Sequence, residues 1–168
     1  MELLYSNILP LGTMDNQKCI ADVIVEEMRK ADRIDIAVGY VSNSSLIELD
    51  ELIVNSSIKN VSLVIGMYYV DGMPENSYHT AMRINEKWSN AGIGEIRIVK
   101  SFKYHGKAYC FYKNGEPFSA IVGSANLGVM KLEASNRRQY ELAALTESVQ
   151  EVNEIATHIQ HLKGARCS

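Results

Sequence analysis

The chain has 168 residues, with 17 Lys+Arg against 20 Asp+Glu, a formal net charge of −3 and a pI of about 5.8. That length suits one domain with a real core, and 46% hydrophobic with 22% charged residues excludes a disordered chain. The acidic balance excludes a bulk basic nucleic-acid-binding domain.

The order of segments reads as an alternating α/β protein. Residues 16–31 are helical in pattern, with Ile20, Val23, Ile24 and Met28 at helical spacing and Asp15 as the N-cap. Ile34 to Tyr40 is a short apolar β-type run. Asn43-Ser44-Ser45 offers capping before Leu46, Leu49, Leu52 and Ile53. A second strand follows over 61–66, then a Gly- and Pro-containing loop over 68–76. A helix from 77 to 90 should bury Met82, Ile84 and Trp88 and end at Gly92 or Gly94. The second half is richer in strands: 95–99, then 107–112 and 118–122 around Asn114-Gly115, a strong hairpin signal, and 140–145. Helical periodicity returns over 147–163. Helices interleaved with short buried strands predict an α/β fold, a mixed sheet flanked by helices, in a single domain over residues 1–168.

Compartment follows from a few more residues. Cys19, Cys110 and Cys167 are odd in number and scattered, which argues against a disulfide framework or a thiolate zinc site and points to a reducing cytoplasm. The N-terminus has no basic region of the kind a signal peptide needs. No apolar run approaches the roughly 20 residues of a membrane helix, so no membrane partner is expected.

The net charge hides a segregation. Residues 1–99 carry net −6, residues 100–138 net +5 and residues 139–168 net −2. The basic block reads either as a local anion site or as a solvated face. Inside it lie Tyr104-His105-Gly106-Lys107 and then Gly123-Ser124-Ala125-Asn126. On a strand, residues two apart share a face, which would set His105 beside Lys107. Imidazole is a nucleophile or proton carrier near neutral pH, and an adjacent ammonium stabilises charge developing on an anion. With a hydroxyl from Ser124 and an amide from Asn126, these residues make a phosphate pocket that contains no metal-ligand set.

H-x-K, an apolar hairpin and G-S-x-N together resemble the active-site motif of the phospholipase D superfamily. The resemblance implies a metal-independent phosphodiesterase with no cofactor. His105 would be the nucleophile, forming a phosphohistidine, Lys107 and Asn126 would bind phosphate, and Ser124 would assist. Glu141 matches the downstream glutamate that hydrogen-bonds the histidine, with Glu133 the weaker match. Tyr112 departs from the pattern, which has a supporting aspartate there. One motif is half a site, because this catalysis uses two histidines. The second is therefore expected to be His105 of another subunit across a two-fold axis, giving a homodimer with the active site at the interface.

The short chain, the opening Leu3-Tyr5-Ser6-Asn7 and the segment 34–42 resemble the N-terminal catalytic domain of phospholipase D-type restriction endonucleases. The function implied is DNA phosphodiester hydrolysis, double-stranded DNA being the substrate. The chain leaves no room for a separate DNA-recognition domain, which would come from another domain or a helicase subunit. Alternatives are a phosphodiesterase acting on a phospholipid or another small diester, a helicase-associated nuclease domain of the same superfamily, and a binding module that keeps the fold without the chemistry. Lys103, Tyr104, Arg137 and Arg138 are candidate substrate contacts. Phe102, Tyr104, Tyr109 and Tyr112 suit either base stacking or cross-strand packing. His158 and His161, with Glu154 nearby, lack the third ligand pattern of a metal site.

Overall fold

The computed structural model describes residues 1–130 and 139–168. The elements in chain order are β1 (Glu2–Tyr5), β2 (Lys18–Cys19), α1 (Ile20–Lys30), β3 (Arg33–Val38), α2 (Asn43–Val54), β4 (Asn60–Ile65), α3 (Glu75–Asn90), β5 (Gly94–Ile98), β6 (Ala108–Lys113), β7 (Glu116–Gly123), a 3-10 turn at Leu127–Met130, β8 (Leu142–Thr146) and α4 (Val149–Leu162). They form an eight-stranded mixed sheet in the order β2-β1-β8-β7-β6-β3-β4-β5. Strands β3, β4 and β5 run parallel, joined through α2 and α3, whereas β6, β7, β8 and β1 pair antiparallel.

The side-chain period of two divides the core between the faces. Ile34, Ile36 and Val38 of β3, Leu63 and Ile65 of β4, and Tyr109 and Phe111 of β6 face the helices α1, α2 and α3. Trp88 of α3 is fully buried on this side, and its indole N–H donates to Asp50 Oδ1 at 2.8 Å, so the polar edge of a large apolar ring is satisfied. Ala37, Val64, Ala108, Cys110 and Ala120 face the other way, against Val152, Ala156, Ile159 and Leu162 of α4.

Most predicted elements lie where the residue pattern put them, and the differences have physical reasons. Strand β1 and the two-residue β2 escape the pattern because they are too short to show alternation. The first helix starts at Ile20, with Cys19 rather than Asp15 at its N-cap, because Lys18 and Cys19 pair with β1. The α2 cap is Ser42, whose Oγ accepts from the Ser45 N–H while the Ser45 hydroxyl accepts from the Ser42 N–H. Met82 is 49% exposed, since α3 buries the row Ser77, Ala81, Ile84 and Trp88 instead. The hairpin turns as its dipeptide demands, with φ of +52° at Asn114 and +87° at Gly115.

Candidate active site

Strand directions bring five segments together at one end of the sheet. The parallel strands β3 and β4 end there, β6 and β8 begin there, and β7 ends there. This is the side of an open α/β sheet on which ligands are usually bound. The segments are Gly39-Tyr40 after β3, Gly66-Met67 after β4, Tyr104 to Lys107 before β6, Ser124 to Asn126 after β7, and Glu141 before β8.

His105 and Lys107 do not lie on a strand, as their spacing predicts; they form the extended lead into β6, which begins at Ala108. Its ends are tied down. The Tyr104 N–H donates to the Gly66 carbonyl at 2.9 Å, and the Gly123 N–H to the Lys107 carbonyl at 3.2 Å. The lead exposes His105 and buries Lys107 to 7% exposure. The Lys107 ammonium donates to the His105 carbonyl at 2.7 Å. Burial holds the Lys107 amine below the usual lysine range, partly opposed by the negative charge of Glu141.

The Gly-Ser-Ala-Asn turn is fixed from both sides. From β6, the buried Tyr109 hydroxyl donates to the Ala125 carbonyl at 2.9 Å. From β3, the N–H groups of Gly39 and Tyr40 donate to Asn126 Oδ1 at 3.1 and 3.0 Å. With its oxygen taken and no acceptor for its amide among the described residues, Asn126 can turn its two N–H donors to a ligand. The Ser124 hydroxyl donates to the Glu141 carboxylate and accepts from the Leu142 N–H at 3.1 Å. Glu141 is held in turn by Ser6 just past β1. Its N–H donates to Ser6 Oγ at 2.8 Å, and the Ser6 N–H donates to its carbonyl at 3.2 Å. Thus Glu141 gives its carboxylate to Ser124, rather than to His105 as the family resemblance implies. An exposed imidazole, a buried ammonium and a pinned carboxamide together suit attack on, and binding of, a tetrahedral oxyanion.

The other predicted contacts are spread more widely. Lys103 is engaged in an ion pair with Asp71 at 2.9 Å, which raises its pKa. The half-buried Tyr104 directs its hydroxyl to His158 Nε2 on α4, 3.2 Å away. Tyr104, Gly106, Lys107, Glu154 and His158 line a cavity of about 600 Å³ on the α4 side of the sheet. Tyr109 and Tyr112 are buried, so neither can stack on a substrate, and Phe102 is 40% exposed. Among the described residues of the basic block, Lys113 lies at the hairpin, at the end of β6 remote from the site. Arg137, Arg138 and Glu133 lie outside the described residues.

At position 112, where the resemblance expects an aspartate, the tyrosine hydroxyl donates to Asp35 Oδ2 on β3 at 3.4 Å. A carboxylate is thus present beside this position, supplied by the neighbouring strand. Sequence reasoning assigned no role to Ser6, Tyr40, Tyr68 or Asp35. The segments holding Ser6 and Tyr40 were part of the family resemblance, but single positions become legible only through contacts across the sheet.

Known proteins bear on this geometry in three ways. No curated protein matches the chain in sequence. Among solved structures, the phosphatidylserine synthase of Haemophilus influenzae Rd KW20 superposes with a TM-score of 0.59 at 14% identity, covering 99% of this chain and 39% of its own. Yeast tyrosyl-DNA phosphodiesterase gives 0.45 at 14% identity, covering 86% of this chain and 31% of its own. The chain therefore spans less than half the length of these proteins, and the first of them shows the fold to be phospholipase D-like. Residues 17–168 match the family described as the NgoFVII restriction endonuclease N-terminal PLD domain, which covers all of the chain but β1 and the loop after it. The chain belongs to that family of restriction-endonuclease PLD domains.

Proposed function

We propose that the chain is a metal-independent endonuclease domain that hydrolyses DNA phosphodiester bonds through a covalent phosphohistidine. The observation that carries this reading is the convergence of His105, Lys107, Asn126 and the Ser124–Glu141 pair at one sheet end. Membership of a restriction-endonuclease family of phosphodiesterase/nuclease type supports DNA as the substrate.

In the proposed reaction an imidazole nitrogen of His105 attacks phosphorus, forming the N–P bond as the P–O bond to the leaving nucleoside breaks. The Lys107 ammonium and the Asn126 amide N–H groups stabilise the extra negative charge on the phosphoryl oxygens. A second histidine, His105 of the partner subunit in a two-fold dimer, protonates the leaving oxygen. It then takes a proton from the water that attacks the phosphohistidine. Hydrolysis of that N–P bond leaves a phosphomonoester and restores His105. Ser124, fixed by Glu141, holds the phosphate-binding turn in place. DNA sequence choice would come from a further domain or subunit.

The test is plasmid nicking in excess EDTA, with wild type and His105→Ala, beside hydrolysis of phosphatidylcholine vesicles. Nicking that persists in EDTA and falls at least about 10³-fold in the variant is expected. A requirement for Mg²⁺, or nicking that survives the substitution, overturns the mechanism. Turnover of the lipid without nicking moves the substrate class to small diesters. Sedimentation checks the shared site: a strict monomer that still cuts contradicts it.

A further inference from the structure

A nucleophilic imidazole has to be aimed, and Glu141, the carboxylate that the resemblance assigns to this task, is bonded to Ser124. What touches the His105 ring is the turn after β3. The Tyr40 ring stands edge-on to the imidazole, with centroids 6.1 Å apart and planes at 75°. Tyr40 is itself backed by Tyr68, edge-on at 5.5 Å and 80°. Tyr68 is locked in place: its hydroxyl donates to the Val41 carbonyl at 2.8 Å and accepts from the Val41 N–H at 3.3 Å. The three rings form a ladder that starts on a fixed support and ends on the nucleophile.

Gly39 completes the seat from below. A Cβ at this position would stand 3.2 Å from His105 Cδ2 and 3.1 Å from Met67 Cγ, so the imidazole packs where a side chain would be. Gly39 and Tyr40 also donate their N–H groups to Asn126 Oδ1. One short turn therefore touches both the attacking group and the residue that would hold the phosphate.

We propose that the Gly39-Tyr40 turn sets the position of the nucleophile relative to the phosphate ligand, with Tyr40 as the positioning residue that fixes the His105 ring. The proposal rests on the reading of His105 as nucleophile. Edge-on aromatic pairs shift a conformational equilibrium by up to about tenfold, and small misplacements of a reacting group cost rate rather than affinity. Tyr40 is 42% exposed, so replacing it leaves the core intact.

The experiment pairs NMR of the histidine side chains with diester hydrolysis, in Tyr40→Leu, Tyr40→Phe and Gly39→Ala. Tyr40→Leu should raise the fast mobility of the His105 ring, read from 13C relaxation of its ring C–H signals assigned by their loss in His105→Ala, while His79, His158 and His161 stay unchanged. It should lower kcat by about tenfold with KM little changed, as expected for lost orientation. Tyr40→Phe keeps the ring and should restore both signals. Gly39→Ala, which pushes on the imidazole while keeping the Tyr40 ring, should shift the His105 ring resonance and lower kcat. Unchanged His105 ring mobility in Tyr40→Leu overturns the proposal. A rise in KM with kcat preserved also overturns it, by making Tyr40 a substrate contact. The NMR arm needs no turnover, so a wild type that hydrolyses no diester sinks the functional reading, while the ring mobility still decides whether Tyr40 holds the ring.

Discussion

Asp35 and Glu141 are carboxylates held by residues from other parts of the chain, and the contrast between them separates structure from chemistry. Asp35 is fully buried beneath α4. It accepts from Arg33 Nε and Nη2 at 3.1 and 2.7 Å, from Gln160 Nε2 at 2.7 Å and from the Tyr112 hydroxyl at 3.4 Å, with Lys163 Nζ 3.7 Å away. Arg33 also lies over the Tyr112 ring at 4.2 Å. These four hydrogen bonds, three of them to Oδ2, engage both oxygens and pin the last helix to the sheet. Glu141 is partly exposed, and among the described residues its carboxylate accepts from one hydroxyl, that of Ser124, at the open end of the same sheet. A buried charge enclosed by its donors holds the fold together; a charge at the open end of the sheet can respond to a ligand.

The contrast predicts opposite phenotypes. Asp35→Ala leaves Arg33 and Lys163 without their buried counter-ion and should cost about 3–5 kcal/mol in urea unfolding; a smaller loss would show that water replaces the carboxylate. Glu141→Gln should do the reverse, lowering kcat for diester cleavage by about 10²- to 10³-fold while changing stability by less than about 1 kcal/mol. If both variants lose stability and activity alike, the two centres are not distinct.

The clamp should also leave a mark in the pH dependence. Cys110, two residues from Tyr112 on the same strand face, has its thiol pushed by burial from 9.0 up to about 11. The folded state then keeps a proton that the unfolded chain gives up. Its contribution is fully present below pH 9 and is lost as pH rises toward about 11, amounting to about 2–3 kcal/mol. Urea titrations at about pH 8 and about pH 10.5 should show this slope in wild type and a flatter one in Cys110→Ala. An unchanged slope assigns the alkaline loss to other groups. The smallest effect is expected at Ser6: Ser6→Ala removes one side-chain bond to the Glu141 backbone and should cost about 1 kcal/mol, with kcat falling less than about tenfold.

The residue pattern carried the long helices, the strands β3, β4, β6 and β7 and the hairpin, because each announces itself locally through period or turn chemistry. The H-x-K and G-S-x-N segments were legible as a pair. The supports of the site were not. Tyr109 looked like one more aromatic of a hairpin, and only the antiparallel pairing of β6 with β7 sets its hydroxyl against Ala125. Lys113 counted toward a basic block in sequence, yet the hairpin carries it to the far end of the sheet. Charge summed along a chain does not survive a strand that leads away from the pocket.

The bond between Glu141 and Ser6 joins residues 135 positions apart. Contacts this remote in sequence form late, because a long loop must close before they return any energy. Strand β1 waits, unpaired with its main partner, until β8 has been made. During synthesis Ser6 and the His105–Lys107 segment therefore both emerge before Glu141 and β8, which join them last. A nascent or partly folded chain would hold the His105 segment without the Ser124–Glu141 pair in place; under the proposed mechanism, complete folding is then the event that arms the site.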